Sequence, residues 1–153
     1  MASDSLFPVA LAQFSVKLEG PNLEFKLGLF AGCEGLSAEY AFDEVMEGGN
    51  NAFVHKLPGR VKYQNVKLTR LINADSMNIA AWFSAYQSRG LGRSTAIITM
   101  YDSHHESGSN ILCKWTLRDV HPLKWTGPSF AADGSGVAKE TLELAHHGFE
   151  WTT

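Results

Sequence analysis

Histidine is the side chain best suited to ligating a metal or moving a proton near neutral pH, and six are present: His55, His104, His105, His121, His146 and His147. Neighbours on a strand point to opposite faces, so His146 and His147 cannot hold one ion together. His104-His105-Glu106 sits in a polar stretch with Ser107-Gly108-Ser109. There is no His-Glu-x-x-His, and the His-x-Glu of His104 and Glu106 lacks the Pro-Cys-x-x-Cys that a zinc deaminase needs. The histidines therefore read as solvated or core-edge side chains, with no metal or other cofactor expected. Nucleophiles fare no better. Ser135 lies between Gly134 and Gly136 in a turn-like stretch, outside any Gly-x-Ser-x-Gly elbow. Gly90-Leu91-Gly92-Arg93-Ser94-Thr95 lacks the spacing of a phosphate loop and follows a helix, where a P-loop precedes one. Cys33 is flanked by Gly32 and by Glu34-Gly35, and an adjacent carboxylate raises a thiol pKa. Asp43, Glu44 and Glu47 crowd one irregular stretch and define no acid/base pair. No catalytic constellation emerges, so an enzyme is not expected.

The elements that would carry these residues are mostly strands. Phe14, Val16 and Leu18 alternate with Ser15, Lys17 and Glu19, the period of a half-buried strand. After Gly20-Pro21-Asn22 the alternation resumes as Phe25, Leu27 and Leu29 against Glu24, Lys26 and Gly28, which predicts a hairpin. A third run extends from Cys33 to Phe42, with Leu36, Ala38, Tyr40 and Phe42 on one face. From Asp43 to Arg60 the pattern stops, and Gly48-Gly49-Asn50-Asn51 and Pro58-Gly59 are turn signals. A connection of that length is expected to be functional or disordered. Val61 to Arg70 reads as another strand.

One helix is predicted between Asp75 and Arg89, where Ile79, Trp82, Phe83 and Tyr86 recur at helical spacing. Asp75 or Ser76 suits its N-cap and Gly90 its C-cap. Strands are expected at Ser94 to Tyr101, Ile111 to Val120 and Val137 to His147, with irregular chain between His121 and Gly136. The fold class is therefore mainly β: a small antiparallel β-barrel or sandwich with one flanking α-helix and a long loop. No repeat or linker divides it, so residues 1–153 form a single domain.

Composition narrows the function classes. The 153 residues carry 13 Lys+Arg against 16 Asp+Glu, a formal net charge of −3, which offers no basic excess for a phosphate backbone. The first twenty residues hold one cation, Lys17, and the apolar run Leu6 to Ala12 is short and broken by Pro8, so neither a signal peptide nor membrane insertion is expected. Cys33 and Cys113 are too few for a disulfide scaffold and suit reduced thiols made in the cytoplasm, a single bridge remaining open. Trp115, Trp125, Phe130, Phe149 and Trp151 cluster late in the chain. They read either as one hydrophobic core or as the surface of a β domain that completes itself by association.

Several stretches in order carry a resemblance: Phe14-Ser15-Val16-Lys17-Leu18-Glu19-Gly20, Gly32-Cys33-Glu34-Gly35-Leu36-Ser37-Ala38-Glu39-Tyr40, Glu47-Gly48-Gly49-Asn50-Asn51, and Lys56-Leu57-Pro58-Gly59-Arg60-Val61-Lys62-Tyr63. Val66-Lys67-Leu68-Thr69-Arg70, Trp82-Phe83, Trp115-Thr116-Leu117, His121-Pro122-Leu123-Lys124-Trp125-Thr126-Gly127-Pro128 and Glu140-Thr141-Leu142-Glu143-Leu144-Ala145-His146-His147-Gly148 continue it. From about residue 12 to 149 the chain resembles the tail tube proteins of contractile phages and the inner tube proteins of contractile injection systems. Departures are small, such as Leu71-Ile72-Asn73 after Arg70 and His121 where alanine is common.

The resemblance implies a structural protein. Six copies would form a ring, and rings would stack into a hollow tube inside a contractile sheath, bearing on a baseplate or spike hub. The lumen would pass a cargo effector or phage DNA. Assembly would begin in the cytoplasm, and the tube would become part of a virion or released phage tail-like particle. On this reading Asp43, Glu44, Glu47, Gly48, Gly49, Asn50, Asn51, Lys56, Pro58 and Arg60 belong to an inter-ring assembly loop. Strand alternation assigns Ser15, Lys17, Glu19, Glu24 and Lys26 to the lumen, and Ile79, Trp82, Phe83 and Tyr86 pack the helix against the outside of the sheet. The alternative is a small-ligand-binding β-barrel, which would need a wide apolar pocket within one subunit.

Overall fold

Alternation between apolar and polar side chains organises the described residues into ten strands and one helix. The computed structural model describes residues 13–21, 23–89, 92–101, 111–129, 134 and 136–153. The strands are β1 (Gln13–Gly20), β2 (Leu23–Phe30), β3 (Gly32–Glu34), β4 (Ala38–Val45), β5 (His55–Tyr63) and β6 (Val66–Leu71). The helix α1 (Ser76–Arg89) follows, then β7 (Ser94–Tyr101), β8 (Ile111–Thr126), β9 (Lys139–Ala145) and β10 (Phe149–Thr152). Eight strands join in one antiparallel sheet of order β2-β1-β7-β8-β9-β6-β3, with β10 paired to β8. Strands β4 and β5 form a separate two-stranded ribbon. The His104-His105-Glu106 stretch, the apolar run at Leu6, Gly90, Ser135 and Phe130 lie outside the described residues.

The large sheet rolls up on itself. Its two path ends, β2 and β3, are joined by Ala31 alone, whose N–H donates to the Thr69 carbonyl on β6 at 3.0 Å. The long strand β8 makes the turn at the other side: Ile111 to Val120 pairs with β7, whereas His121 to Thr126 pairs with β9. Asp119 takes a left-handed φ of 50° at that switch, a conformation an aspartate tolerates better than most residues. The sequence had left His121 onward irregular; pairing with β9 makes it strand as far as Thr126. The strand expected from Val137 to His147 is the shorter β9, and β10, which the sequence pattern does not predict, follows after His146 to Gly148.

Inside the roll, Val16, Leu18, Leu27, Phe30, Val66, Leu68, Ala96, Ile98, Leu117, Val120, Leu142 and Leu144 form one core with Ile79 and Trp82 of α1. On the helix, Phe83 packs against this cluster and Tyr86 is half-buried. The helix thus shares the core of the strands. One expectation fails at β2, where Leu29 is 46% exposed and Phe30 is buried. A bulge between Val16/Lys17 and Gly28 inserts one residue and inverts the alternation beyond it. Gly28 permits it with φ +88°, and a side chain there would strike the Asp75 carboxylate below α1.

A buried charge pair lies where β6, β9 and α1 meet. Arg70 and Glu140 are cross-strand partners, each almost fully buried, and Arg70 Nε donates to Glu140 Oε1 at 2.5 Å. Ser76 Oγ donates to the same oxygen at 2.6 Å and Trp125 Nε1 to Glu140 Oε2 at 3.1 Å. Arg70 Nη1 reaches the Leu27 carbonyl, and the guanidinium lies 4.4 Å from the Phe30 ring centroid. Burial pushes the Glu140 pKa up, but the hydrogen bonds from Ser76, Arg70 and Trp125 and the Arg70 charge outweigh it, so the net shift is downward. The pair ties together four strands and the helix start.

Candidate functional site

The ribbon β4–β5 is where the molecule exposes what it would ordinarily bury. From Ala38 to Arg60 every residue except Asn50 is exposed. Tyr40 is 58% exposed, Phe42 56%, Phe53 59% and Leu57 54%, and Val45, Met46 and Val54 are exposed as well. This corrects the expectation of a long irregular loop at Asp43 to Arg60: its sides are strands, and only 46–54 lies outside them. Pairing within the ribbon was hidden because no core face accompanies it. Gly48-Gly49-Asn50-Asn51 does form the tip, where Asn50 N–H donates to the Glu47 carbonyl and Ala52 N–H to Asn50 Oδ1. Pro58-Gly59 is not a turn but part of an irregularity inside β5, opposite Tyr40 and Phe42, where a missing N–H is tolerated.

The ribbon is anchored at its root. Gly35, at φ +91°, lies so close to the Asn65 carbonyl that no Cβ fits, and Gln64 N–H donates to the Ser37 carbonyl at 3.4 Å. The Tyr63 ring meets Phe149 edge-on at 5.8 Å. His146 is buried beside it, with Nε2 hydrogen-bonded to the Gln64 carbonyl at 2.9 Å and Nδ1 accepting from Gly148 N–H at 3.2 Å. That histidine is a structural tie. Cross-strand pairs Tyr40 with Val61 and Phe42 with Pro58 give one apolar ribbon face, while Glu39 opposite Lys62 and Glu44 opposite Lys56 carry charge.

The face set opposite the core on β1 and β2 is polar except for Leu29, the register partner of Ser15. Lys17 binds Glu19 at 2.9 Å and Glu24 at 3.0 Å, and these partners raise its pKa. Ser15 Oγ donates to Tyr101 Oη at 3.1 Å, and Lys26 is exposed. The register sets Lys17 opposite Lys26 and Glu19 opposite Glu24, so like charges face each other and the cancellation comes from the other contacts of Lys17.

The remaining candidates for chemistry form no catalytic arrangement among the described residues, although the His121 and His147 rings lie 5.8 Å apart. His55 pairs with Glu47 at 3.0 Å in the ribbon, His121 with Tyr86 at 3.0 Å, and His147 with Asp119 at 3.3 Å. Among the described residues no three His, Cys, Asp or Glu side chains are grouped to hold a metal ion. Cys33 and Cys113 are free thiols; burial, with a smaller effect from Glu34, pushes the Cys33 pKa up to about 11, and burial raises that of Cys113. A protonated thiol is a poor nucleophile. The late aromatics divide: Phe149 and Trp115 pack against the core, whereas Trp125 is 44% and Trp151 68% exposed. Trp151 stacks on Trp115 at 6.3 Å. No described helix is long and apolar enough to cross a membrane.

Sequence reasoning singled out neither Arg70 nor Glu140 as a pair. The signal was present, since extending the alternation Val66, Leu68 puts Arg70 inward and that of Leu144, Leu142 puts Glu140 inward. Two opposite charges on inward positions of adjoining strands must meet or unfold the sheet.

Solved structures share this architecture. A chain from the 6-fold symmetrised baseplate of the anti-feeding prophage superposes with a TM-score of 0.77 at 22% identity, covering 99% of this chain and 97% of that one. A chain from the sheath-tube complex of PVC, an extracellular contractile injection system, in its extended state gives 0.75 at 20% identity, covering 98% and 93%. A type six secretion system protein gives 0.57 at 15% identity over 90% of this chain and 82% of that one. No curated protein sequence matches. The family described as T4-like virus tail tube protein gp19 matches residues 11–150, nearly the full length. The chain belongs to that family and is a structural tail tube protein.

Proposed function

We propose that six copies of this chain form a ring, with rings stacked into a hollow tube inside a contractile sheath, and that the β4–β5 ribbon is the arm by which each subunit grips a neighbour, most directly in the next ring. The observation that carries this is the ribbon's exposure: seven large apolar side chains stand free on a two-stranded element, and such a ribbon is marginal in water by itself. A second subunit laid against the Tyr40 and Phe42 face supplies what the body of the same chain does not. The sheath and baseplate enter as partners because the similar PVC and anti-feeding prophage chains come from assemblies that contain them. By the same reasoning the tube belongs to a phage tail-like particle and passes cargo or DNA.

The Ser15, Lys17, Glu19, Glu24 and Lys26 face becomes the lumen wall, polar and nearly neutral. A ligand-binding barrel finds less support, because the interior is filled by Leu18, Leu27, Phe30, Leu68, Ile98, Leu117 and Leu142. Deleting Glu47 to Asn51 tests the arm: the purified variant is expected to fold as a monomer and give no tubes in electron micrographs. Tubes of normal length would remove the arm from the assembly.

A further inference from the structure

The two strands of the ribbon carry opposite charge. On β4 and the turn after it stand Glu39, Asp43, Glu44 and Glu47, with no cation; on β5 stand His55, Lys56, Arg60 and Lys62, with no carboxylate. All are exposed. The register sets Glu39 opposite Lys62 and Glu44 opposite Lys56, yet the ion pair found inside the ribbon among the described residues is Glu47 with His55 alone. Glu39, Asp43, Glu44, Lys56, Arg60 and Lys62 thus have no ionic partner within 4.0 Å among the described residues. Neither outer edge of the ribbon is paired with another strand among the described residues.

Resting on the arm reading above, we propose that this charge segregation sets the polarity of assembly: the acidic β4 side of one subunit's ribbon seats against the basic β5 side of the ribbon of a second copy. A two-fold contact would place β4 against β4 or β5 against β5 and bring like charges together. The head-to-tail contact brings opposite charges together at every interface, and repeated from ring to ring it propagates a stack rather than ending in a dimer. The charges thereby reject the wrong contact as well as favouring the right one. The apolar Tyr40 and Phe42 face supplies the attraction that exposed ion pairs alone do not.

The test uses two full-length variants. One carries Glu39→Lys, Asp43→Lys and Glu44→Lys, removing every carboxylate from the two strands; the other carries Lys56→Glu, Arg60→Glu and Lys62→Glu, removing every Lys and Arg from them. Each alone is expected to raise the critical concentration for tubes at least tenfold, about 1.4 kcal/mol per interface. An equimolar mixture is expected to restore tubes containing both variants. Raising the salt concentration is expected to weaken the mixture more than wild type, since charge contributes more of its contact. If the cross-strand pairs served only to hold each hairpin, mixing would rescue nothing, because both ribbons would already be damaged; that result overturns the proposal. Either variant assembling alone as wild type overturns it too. The arm reading fails separately, through normal tubes from the Glu47 to Asn51 deletion.

Discussion

Phe30 and Phe42 are the same side chain on strands of equal length, yet one is 2% exposed and the other 56%. Around Phe30 the body closes on itself: β2 and β3 meet at Ala31, α1 adds Ile79 and Trp82, and Arg70 and Glu140 are held by neighbours. Around Phe42 nothing closes, although the backbone pairing of β4 with β5 runs from Ala38 to Val45. Backbone hydrogen bonds alone therefore do not distinguish a finished element from an unfinished one. Burial of side chains does, and the contrast separates the part of the chain that buries its own apolar side chains from the part that leaves them exposed.

The contrast breaks most sharply if the body loses its buried charge. Glu140→Ala leaves the Arg70 guanidinium buried without its carboxylate, and is expected to cost about 3–5 kcal/mol, read by chemical denaturation of the unassembled subunit. Because the folded Glu140 pKa lies below its ordinary value, the stabilisation is fully present above the unfolded carboxylate pKa and is lost as pH falls through the folded one. Wild type should therefore lose stability on acidification more steeply than Glu140→Gln. Equal slopes would show that other carboxylates dominate.

Trp82→Ala opens a cavity between α1 and the sheet, and about 3–5 kcal/mol is expected there as well. A variant that melts with wild type would mean that the helix stripe contributes little to the common core. Trp151→Ala sharpens the comparison from the body's own surface. Its ring is largely exposed but stacked on Trp115, so about 0.5–1.5 kcal/mol is expected.

The sequence disclosed the body well where alternation met a single core. Val16 and Leu18 against Lys17 and Glu19, and the Ile79-Trp82 stripe, are where periodicity puts them. It disclosed less where one residue changes the phase: the bulge at Gly28 swaps Leu29 and Phe30, and no local signal separates that glycine from a strand glycine. The corner at Asp119 was hidden for the same reason, since switching a strand from β7 to β9 is a property of partners distant in sequence. The ribbon reads as a loop in the sequence because its apolar residues match no core face within one chain, and strands without a buried face lack the alternation that marks the others. Turn residues at its tip were legible because Gly and Asn act locally.

The smallest effect on stability is expected from the ribbon itself. Tyr40→Ser with Phe42→Ser removes two aromatic side chains, a change that in the body would be ruinous. Both are more than half exposed in the isolated subunit, so little water-excluded area is lost and the unassembled chain should melt within about 0.5 kcal/mol of wild type. The cross-strand contacts of Tyr40 with Val61 and Phe42 with Pro58 set the upper end of that cost. Assembly should respond in the opposite way, because the same two rings are the centre of the face a neighbour would cover, and large aromatics at the centre of an interface dominate its energy. Denaturation of the monomer and electron micrographs under assembly conditions, made on one preparation, read both quantities. Intact stability with lost tubes sets the ribbon apart from the body, whereas a subunit that unfolds easily would make the ribbon part of the same cooperative core.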